Sequence, residues 1–388
     1  MEDKNLKKLV ADAFLDIAKG VESGSFGKRI KVGLTTLGSE HGAANLIAGA
    51  ELAVRQNDGL EVVLIGEQAE TELPIVETDC EADAHRIMEE MLGKGKIDAC
   101  VTMHYNFEIG ISTVGRVLTP GRGKEMYLAT TTGTSAAQRS VGMVKNALYG
   151  IIAAKAMGVS QPTVGILNLD GARQVQRALY ELKDNGYPIE FAESLRADGG
   201  SIMRGNDLLA AASDVMVMDT LTGNIMMKVF SSYTTGGSYE ASGFGYGPGV
   251  GFNMDKIVLI LSRASGVPVV ANAIAYAAKL AKNNLITIAK DEYAKAKKAG
   301  LDDILAALTE SAAKPQAAKK AVAMPDKEVV TAQISGIDIM DLEDAVNCLL
   351  ENGIYAESGM GCTGPIALVS EANQDKATAL LRNEKFIL

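Results

Sequence analysis

The chain has 388 residues, 47% of them hydrophobic and 22% charged, which supplies enough apolar surface for sizeable cores and excludes wholesale disorder. Thirty-eight Lys and Arg against 48 Asp and Glu leave a net charge of -10, which argues against nucleic-acid or anionic-membrane binders built on a basic face. Four Cys in so long a chain make no disulfide framework and fit a reducing cytoplasm.

Residues 1–28 are charged and helix-periodic, with Leu6, Leu9, Val10, Ala13, Phe14 and Ile17 on one face. No apolar region or small-residue cleavage site is present there, so no signal peptide is expected. From Gly27 onward the pattern becomes strand, Gly-rich turn, helix. Strands are expected over Ile30 to Leu34, Leu60 to Ile65 and Ile97 to Met103, with helices over Ala43 to Arg55 and Ala82 to Met91. An Ala/Gly/Thr-rich segment, Thr130 to Met157, ends in a helix. A new unit opens at Thr163, with a helix over Ala172 to Asn185 and strands near Ile189 to Ala192 and over Asp214 to Met218. A long Gly-rich stretch, Gly236 to Gly251, precedes a strand over Ile257 to Ser262. These alternations predict an α/β fold with a three-layer α/β/α arrangement and a mostly parallel sheet.

Ala, Lys and Pro dominate residues 311–327, which reads as a linker between a body over 1–310 and a small C-terminal α/β unit over 328–388. That unit is expected to hold strands at Val329 to Ile334, Ile354 to Glu357 and Ile366 to Val369, with helices at Ile339 to Leu350 and Asn373 to Leu381.

Three stretches carry candidate chemistry. Leu37-Gly-Ser-Glu-His-Gly follows the first strand, where Gly permits close backbone approach and a helix start offers N–H groups to an anion. In Asp214 to Lys228 a strand ends at an acidic residue, and Gly223-Asn224 reads as a turn opening a helix that carries Lys228. Ser262 and Arg263, at another strand end, are suited to phosphate, Arg through its planar fork. His41 and His104 are possible acid/base groups, and His85, in a helix, reads as a surface residue. The three His are too scattered to suggest a metal site. Among the thiols, Cys80 reads as incidental, Cys100 as buried in a strand and Cys348 as helix core. Cys362 sits in the Gly-rich loop Ser358-Gly-Met-Gly-Cys-Thr-Gly-Pro, where N–H groups could stabilise a thiolate or oxyanion.

Leu37-Gly-Ser-Glu-His-Gly, Thr163-Val-Gly-Ile-Leu-Asn-Leu and the Asp219-to-Lys228 segment together resemble the PlsX-type phosphate acyltransferases over most of residues 30–280. Adding Gly247-Pro-Gly and Ser262-Arg-Ala-Ser-Gly, the chain also looks like phosphate acetyltransferase. The likeness implies an isocitrate dehydrogenase-like fold, with Gly223, Asn224, Ser262 and Arg263 lining a phosphate and thioester site. One departure is Thr102-Met-His-Tyr-Asn-Phe, where PlsX-type enzymes carry Ser-Gly-Asn-Thr-Gly.

With the Ala/Lys/Pro linker and the Gly-Met-Gly-Cys-Thr-Gly-Pro tail, the whole chain resembles the alpha subunits of component C of glycine/sarcosine/betaine reductases, known from anaerobic amino-acid fermentation. That resemblance implies that a two-carbon unit arrives from selenoprotein A, is held as an acetyl thioester on Cys362, and leaves as acetyl phosphate. Inorganic phosphate would be a substrate, with no bound cofactor or metal. A ketoacyl synthase-like beta subunit would be the partner in a hetero-oligomer. Two other readings remain at this level: a stand-alone phosphate acyltransferase using acyl carrier protein or coenzyme A, and a non-catalytic subunit that positions partners.

Overall fold

Short aliphatic runs form the strands, and Gly-rich turns release the chain into helices. The computed structural model describes residues 14, 17, 18, 21, 29–197, 199–313, 325–339, 341–361 and 364–387. Most of the helix expected before residue 28 lies outside the described residues. The first elements are β1 (Ile30–Thr35), α1 (Gly42–Gln56), β2 (Leu60–Gly66), β3 (Ile75–Glu77), α2 (Glu81–Gly93), β4 (Ala99–Thr102), β5 (Ile111–Leu118), β6 (Glu125–Thr134) and α3 (Arg139–Ala156). There follow β7 (Thr163–Leu167), α4 (Ala172–Asp184), β8 (Glu190–Phe191), β9 (Ile202–Met203), α5 (Gly205–Ala210), β10 (Val215–Val217) and α6 (Thr220–Ser232). The body ends with β11 (Gly247–Gly251), β12 (Val258–Ile260), α7 (Val267–Lys282), α8 (Leu285–Lys298) and α9 (Leu301–Ala313). The remaining elements are β13 (Ala332–Ser335), α10 (Leu342–Glu351), β14 (Ala356–Gly361), β15 (Gly364–Val369) and α11 (Gln374–Asn383).

One sheet runs β3-β2-β1-β4-β12-β11-β5-β6-β10-β7-β8, with β9 beside β7. Its flanks are parallel, as in β1–β2, β4–β12, β6–β10 and β10–β7. Three successive antiparallel pairings, β12–β11, β11–β5 and β5–β6, join them. An odd number of reversals points the two flanks in opposite directions. The carboxyl ends of β1, β4 and β12 therefore lie at one edge of the sheet, and those of β6, β10 and β7 at the other.

Helices cover both faces. Val62 and Leu64 pack with Leu46 and Ile274 on the α1/α7 side, while Ile65, Met88, Cys100 and Val258 form a separate core beneath α2. In the other flank Val215 and Val217 join the α3 core, and Met216, Leu128, Met227 and Phe230 pack under α6. Strands buried on both faces read as near-continuous apolar runs, which is why β1, β2, β4 and β10 stand out in the sequence. The Gly236-to-Gly251 stretch does not stay a loop: its last five residues form β11.

A buried ionic cluster ties α8 to α3. The Glu292 side chain is 3% exposed and accepts hydrogen bonds from Lys155 (2.8 Å), Lys295 (2.8 Å) and the Tyr187 hydroxyl (2.8 Å). Burial opposes its charge, but these three donors outweigh it and hold the carboxyl below the usual range. A depressed carboxylate stabilises the fold above its unfolded pKa of about 4.3, and that contribution fades as pH falls through the folded value. Glu292→Gln is expected to lose about 2 kcal/mol at neutral pH, by loss of charged hydrogen bonds. The gap from wild type in thermal denaturation should shrink as pH falls below about 4; a gap constant with pH would count against the charge.

The C-terminal residues form their own antiparallel sheet, β13-β15-β14, packed against α10 and α11. Ile334, Leu349, Ala367, Val369 and Leu381 are its core. This unit is seated on α4: Arg177 donates to Asp341 (2.5 Å) and to the carbonyls of Lys385 (3.2 Å) and Phe386 (3.4 Å). Helix α9 runs into the first residues of the expected linker, whose residues 314–324 lie outside the described residues.

Candidate functional site

At the β1–β4–β12 edge, β12 ends in Ser262 and Arg263 and the loop after β1 carries Gly38 to His41. The two loops are stitched together, with the Glu40 amide donating to the Arg263 carbonyl (2.9 Å). Gly38 has φ 88°, and a Cβ there would lie 2.4 Å from Glu81 Oε1 and 3.3 Å from the Arg263 guanidinium. Glycine alone lets the backbone pass so near those charged groups.

Helix α6 reaches the same edge from the opposite one. Its N-cap is Asp219, whose carboxylate accepts from the Thr222 amide and hydroxyl (both 2.9 Å) and from Arg139 (2.6 Å). Burial works against the Asp219 charge, yet these donors hold its carboxyl below the usual range. Gly223-Asn224 is therefore not a turn but the first turn of a helix that starts at Thr220. A side-chain cap two residues past the strand supplies the helix start that the Gly-Asn pair was read as supplying. Gly223 is buried, and a Cβ there would lie 1.8 Å from the Thr130 carbonyl oxygen, so the glycine lets α6 lie directly on β6. Asn224 anchors the helix by donating to the Thr131 carbonyl (3.0 Å).

One turn on, Lys228 crosses to the β12 edge. Its ammonium donates to Glu240 Oε1 (2.6 Å) and to Ser262 Oγ (2.9 Å). Glu240 is fully buried, accepts also from the Ser265 hydroxyl (3.2 Å), and pairs its backbone with Ala264 and Gly266. The Lys228 side chain stays 47% exposed. The result is an exposed ammonium and a serine hydroxyl presented side by side from a buried carboxylate, a donor pair suited to a small oxyanion. Asn224, four residues before Lys228, lies on the same helical face.

Arg263 reaches toward Glu81 (3.5 Å). It lines a narrow recess with Thr35, Thr102, His85 and His104. His85, expected at the surface, instead faces this recess with Nε2 3.4 Å from the Thr102 hydroxyl. The α2 face that carries it packs over β4, a tertiary contact that helix periodicity alone did not assign. His104 is exposed, and its Nε2 is 3.0 Å from Asn106 Oδ1. His41 precedes α1 and meets Tyr239, the neighbour of Glu240, edge-on at 6.1 Å between ring centroids. The structure thus gathers Asn224, Ser262, Arg263 and His41 around one edge and adds Lys228 and Glu240. Lys228 was visible in the sequence; its partner Glu240 sat in a Gly/Ser-rich stretch with no signal of burial.

At the opposite edge a cleft of about 440 Å³ lies between the starts of α3 and α6, lined by Gly133 to Ala136, Arg139, Asn146 and Asp219 to Thr222. Arg139 also faces Asp170 at 3.7 Å. Asp170 belongs to the loop after β7, which with Gly336 to Ile339, Met360, Gly364 and Pro365 encloses a second cleft of about 210 Å³. Gly361 and Gly364 pair across the end of the β14–β15 hairpin. Cys362, between them, lies outside the described residues. Of the other thiols, Cys100 is fully buried and burial pushes it well up. Cys348 is not core but half-buried, and burial, Glu384 and Glu351 raise it. Cys80 is exposed. Among the described residues no cluster of His, Cys, Asp or Glu is placed to hold a metal ion, and no helix is long and apolar enough to cross a membrane.

A family model described as a fatty acid synthesis protein matches residues 30–368. Over 379 residues the chain is 63% identical to the glycine/sarcosine/betaine reductase complex component C subunit alpha of Peptoclostridium acidaminophilum, covering 98% of each. A phosphate acyltransferase of Bacillus cytotoxicus is 23% identical over 240 residues, 51% of this chain and 70% of that one. Among solved structures, a branched-chain phosphotransacylase from Enterococcus faecalis V583 aligns at 16% identity with a TM-score of 0.46, over 65% of this chain and 99% of that chain.

Proposed function

The chain belongs to the family of glycine/sarcosine/betaine reductase component C alpha subunits, and from that we propose that it passes a two-carbon acyl unit to inorganic phosphate. In this reading the unit comes from selenoprotein A within a complex that also contains a ketoacyl synthase-like beta subunit. It rests as an acetyl thioester on Cys362 and is released in the cytoplasm as acetyl phosphate, without a bound cofactor. A phosphate oxygen attacks the thioester carbonyl, the C–S bond breaks, and the sulfur leaves as thiolate. Covalent capture divides one difficult transfer into two easier ones.

The observation that carries the reading is the Lys228 ammonium held between buried Glu240 and Ser262 Oγ. Ser262, Lys228 and Asn224 supply donors for phosphate or for the tetrahedral oxyanion, with Arg263 beside them and His41 or His104 as the acid/base group. Each such donor, placed where charge develops, contributes a factor of about 100 to 1000 in rate.

The complex, incubated with acetyl phosphate and digested, is expected to show one acetylated peptide containing Cys362 by mass spectrometry, and none in Cys362→Ala. Full acyl transfer by Cys362→Ala from a soluble thioester to phosphate would instead favour a stand-alone phosphate acyltransferase. A chain that never acquires the label while the beta subunit does would make it a positioning subunit.

A further inference from the structure

Reversal of the sheet's middle strands gives the body two carboxyl-end edges, and the Lys228 group uses one of them. Ligands of doubly wound sheets bind outside the carboxyl ends of their strands. The other edge, where β6, β10 and β7 end, holds the 440 Å³ cleft and, next to it, the hairpin that flanks Cys362. From Thr220 to Lys228 the helix axis alone spans about 12 Å. The cleft at the start of α6 and the Lys228 ammonium are therefore set apart along that helix.

We propose that this cleft is an oxyanion subsite, for inorganic phosphate or the phosphoryl group of an acyl phosphate, and that Arg139 positions the anion for the group presented by the tail hairpin. The assignment of that group to the tail rests on the function proposed above; the anion subsite stands on the cleft's own residues.

One cation, Arg139, lines the cleft in a chain whose net charge is -10, and a second, Lys145, lies behind it on Ser135. Arg139 opens α3 and keeps 43% of its side chain exposed; half-buried Lys145, one helical turn and a half further on, donates to the Ser135 carbonyl (3.3 Å). Thr134, Thr220 and Thr222 also line it, the Thr220 hydroxyl paired with Thr130 and the Thr222 hydroxyl held by Asp219. The starts of α3 and α6 both open on the space, and their first N–H groups favour negative charge there. The two carboxylates on Arg139 are not equivalent. Asp219 is fixed as the α6 cap at 2.6 Å, whereas Asp170 is 78% exposed and 3.7 Å away. An incoming anion displaces Asp170 and keeps Asp219. Asp170 also borders the hairpin cleft with Met360, Gly364 and Pro365, so its release frees the guanidinium on the side from which the tail's cargo comes.

The test is calorimetric titration of the full chain with inorganic phosphate and, separately, with acetyl phosphate; tighter binding of one identifies the source. Arg139→Gln is expected to weaken binding at least 10-fold. Asp170→Asn, at an exposed position, is expected to tighten it several-fold, because a competing acceptor is gone; a merely structural Arg139–Asp170 pair would not produce that gain. Unchanged affinity in Arg139→Gln, or no gain in Asp170→Asn, overturns the subsite. If Arg139→Gln is unfolded by thermal denaturation, Asp170→Asn decides alone. Binding lost in Ser262→Ala and unchanged in Arg139→Gln would place the anion at the other edge and leave the proposed function standing. Full transfer activity in Cys362→Ala would remove that function while leaving phosphate binding at Arg139 intact.

Discussion

Lys228→Met is expected to lower the rate of acyl transfer to phosphate by about 100- to 1000-fold, the loss typical of removing one preorganised donor from an oxyanion site. The same change removes the partner of a fully buried carboxylate. Glu240 would keep the Ser265 hydroxyl, at 3.2 Å, as its remaining side-chain donor. Breaking a buried pair by deleting one member costs about 3–5 kcal/mol; because Lys228 is half exposed, water can reach the vacated side and the low end applies. Lys228→Arg should recover part of the stability but less of the rate, since a planar fork cannot meet Glu240 Oε1 and Ser262 Oγ as a point charge does. Glu240→Gln should keep the fold near wild type and still slow transfer, because the amide no longer anchors the ammonium beside Ser262. Steady-state rates with the assembled complex, read beside thermal denaturation, separate the two effects. A Lys228→Met complex as fast as wild type would remove Lys228 from the chemistry.

The residues of this site were legible to different degrees. Ser262 and Arg263 follow an apolar strand, and Asn224 and Lys228 follow another, so position beyond a strand end marked them. Glu240 did not show itself, because its burial depends on the loop from Ser238 to Gly245 folding over Ser265 and Gly266. His85 shows the complementary failure. A polar residue on a mostly polar helix reads as solvent-facing until the helix is laid on β4.

Fold legibility split along the same line. The parallel flanks are double-covered and announce themselves as runs such as Val62 to Ile65, whereas the antiparallel middle does not. β11 consists of Gly247-Pro-Gly-Val-Gly, a sequence with little strand propensity. At Gly247 and Gly249 its neighbours leave room for nothing larger than glycine. A Cβ at Gly247 would lie 1.7 Å from the Val114 carbonyl, and one at Gly249 would lie 2.4 Å from the Phe107 ring. Missing β5, β6 and β11 as one antiparallel block also hid the reversal of direction between the flanks. Each of the three candidate stretches was placed beyond a strand end. Two meet directly, and the third arrives only because α6 carries Lys228 back across the sheet. Direction of the strands, rather than their identity, decides which loops share an edge.

The position on which this crossing depends is Gly223. Gly223→Ala puts a methyl 1.8 Å from the Thr130 carbonyl oxygen, and the obstacle is backbone within β6 rather than a movable side chain. Overpacking into a filled core costs about 1–3 kcal/mol when side chains can yield, and more when they cannot; here 3 kcal/mol or more is expected. The helix can relieve the contact only by lifting off β6. Lifting stretches the Asn224 bond to Thr131 and withdraws the ammonium that meets Glu240 and Ser262 one turn later. Gly223→Ala should therefore lose transfer activity even at temperatures where it remains folded, and Asn224→Ala, which frees the same helix without a clash, should show a milder form of both defects. Denaturation midpoints and transfer rates for the two variants test this together. A Gly223→Ala protein with wild-type stability would mean that α6 does not lie against β6 at Thr130, and the placement of Lys228 beside Ser262 would fall with it.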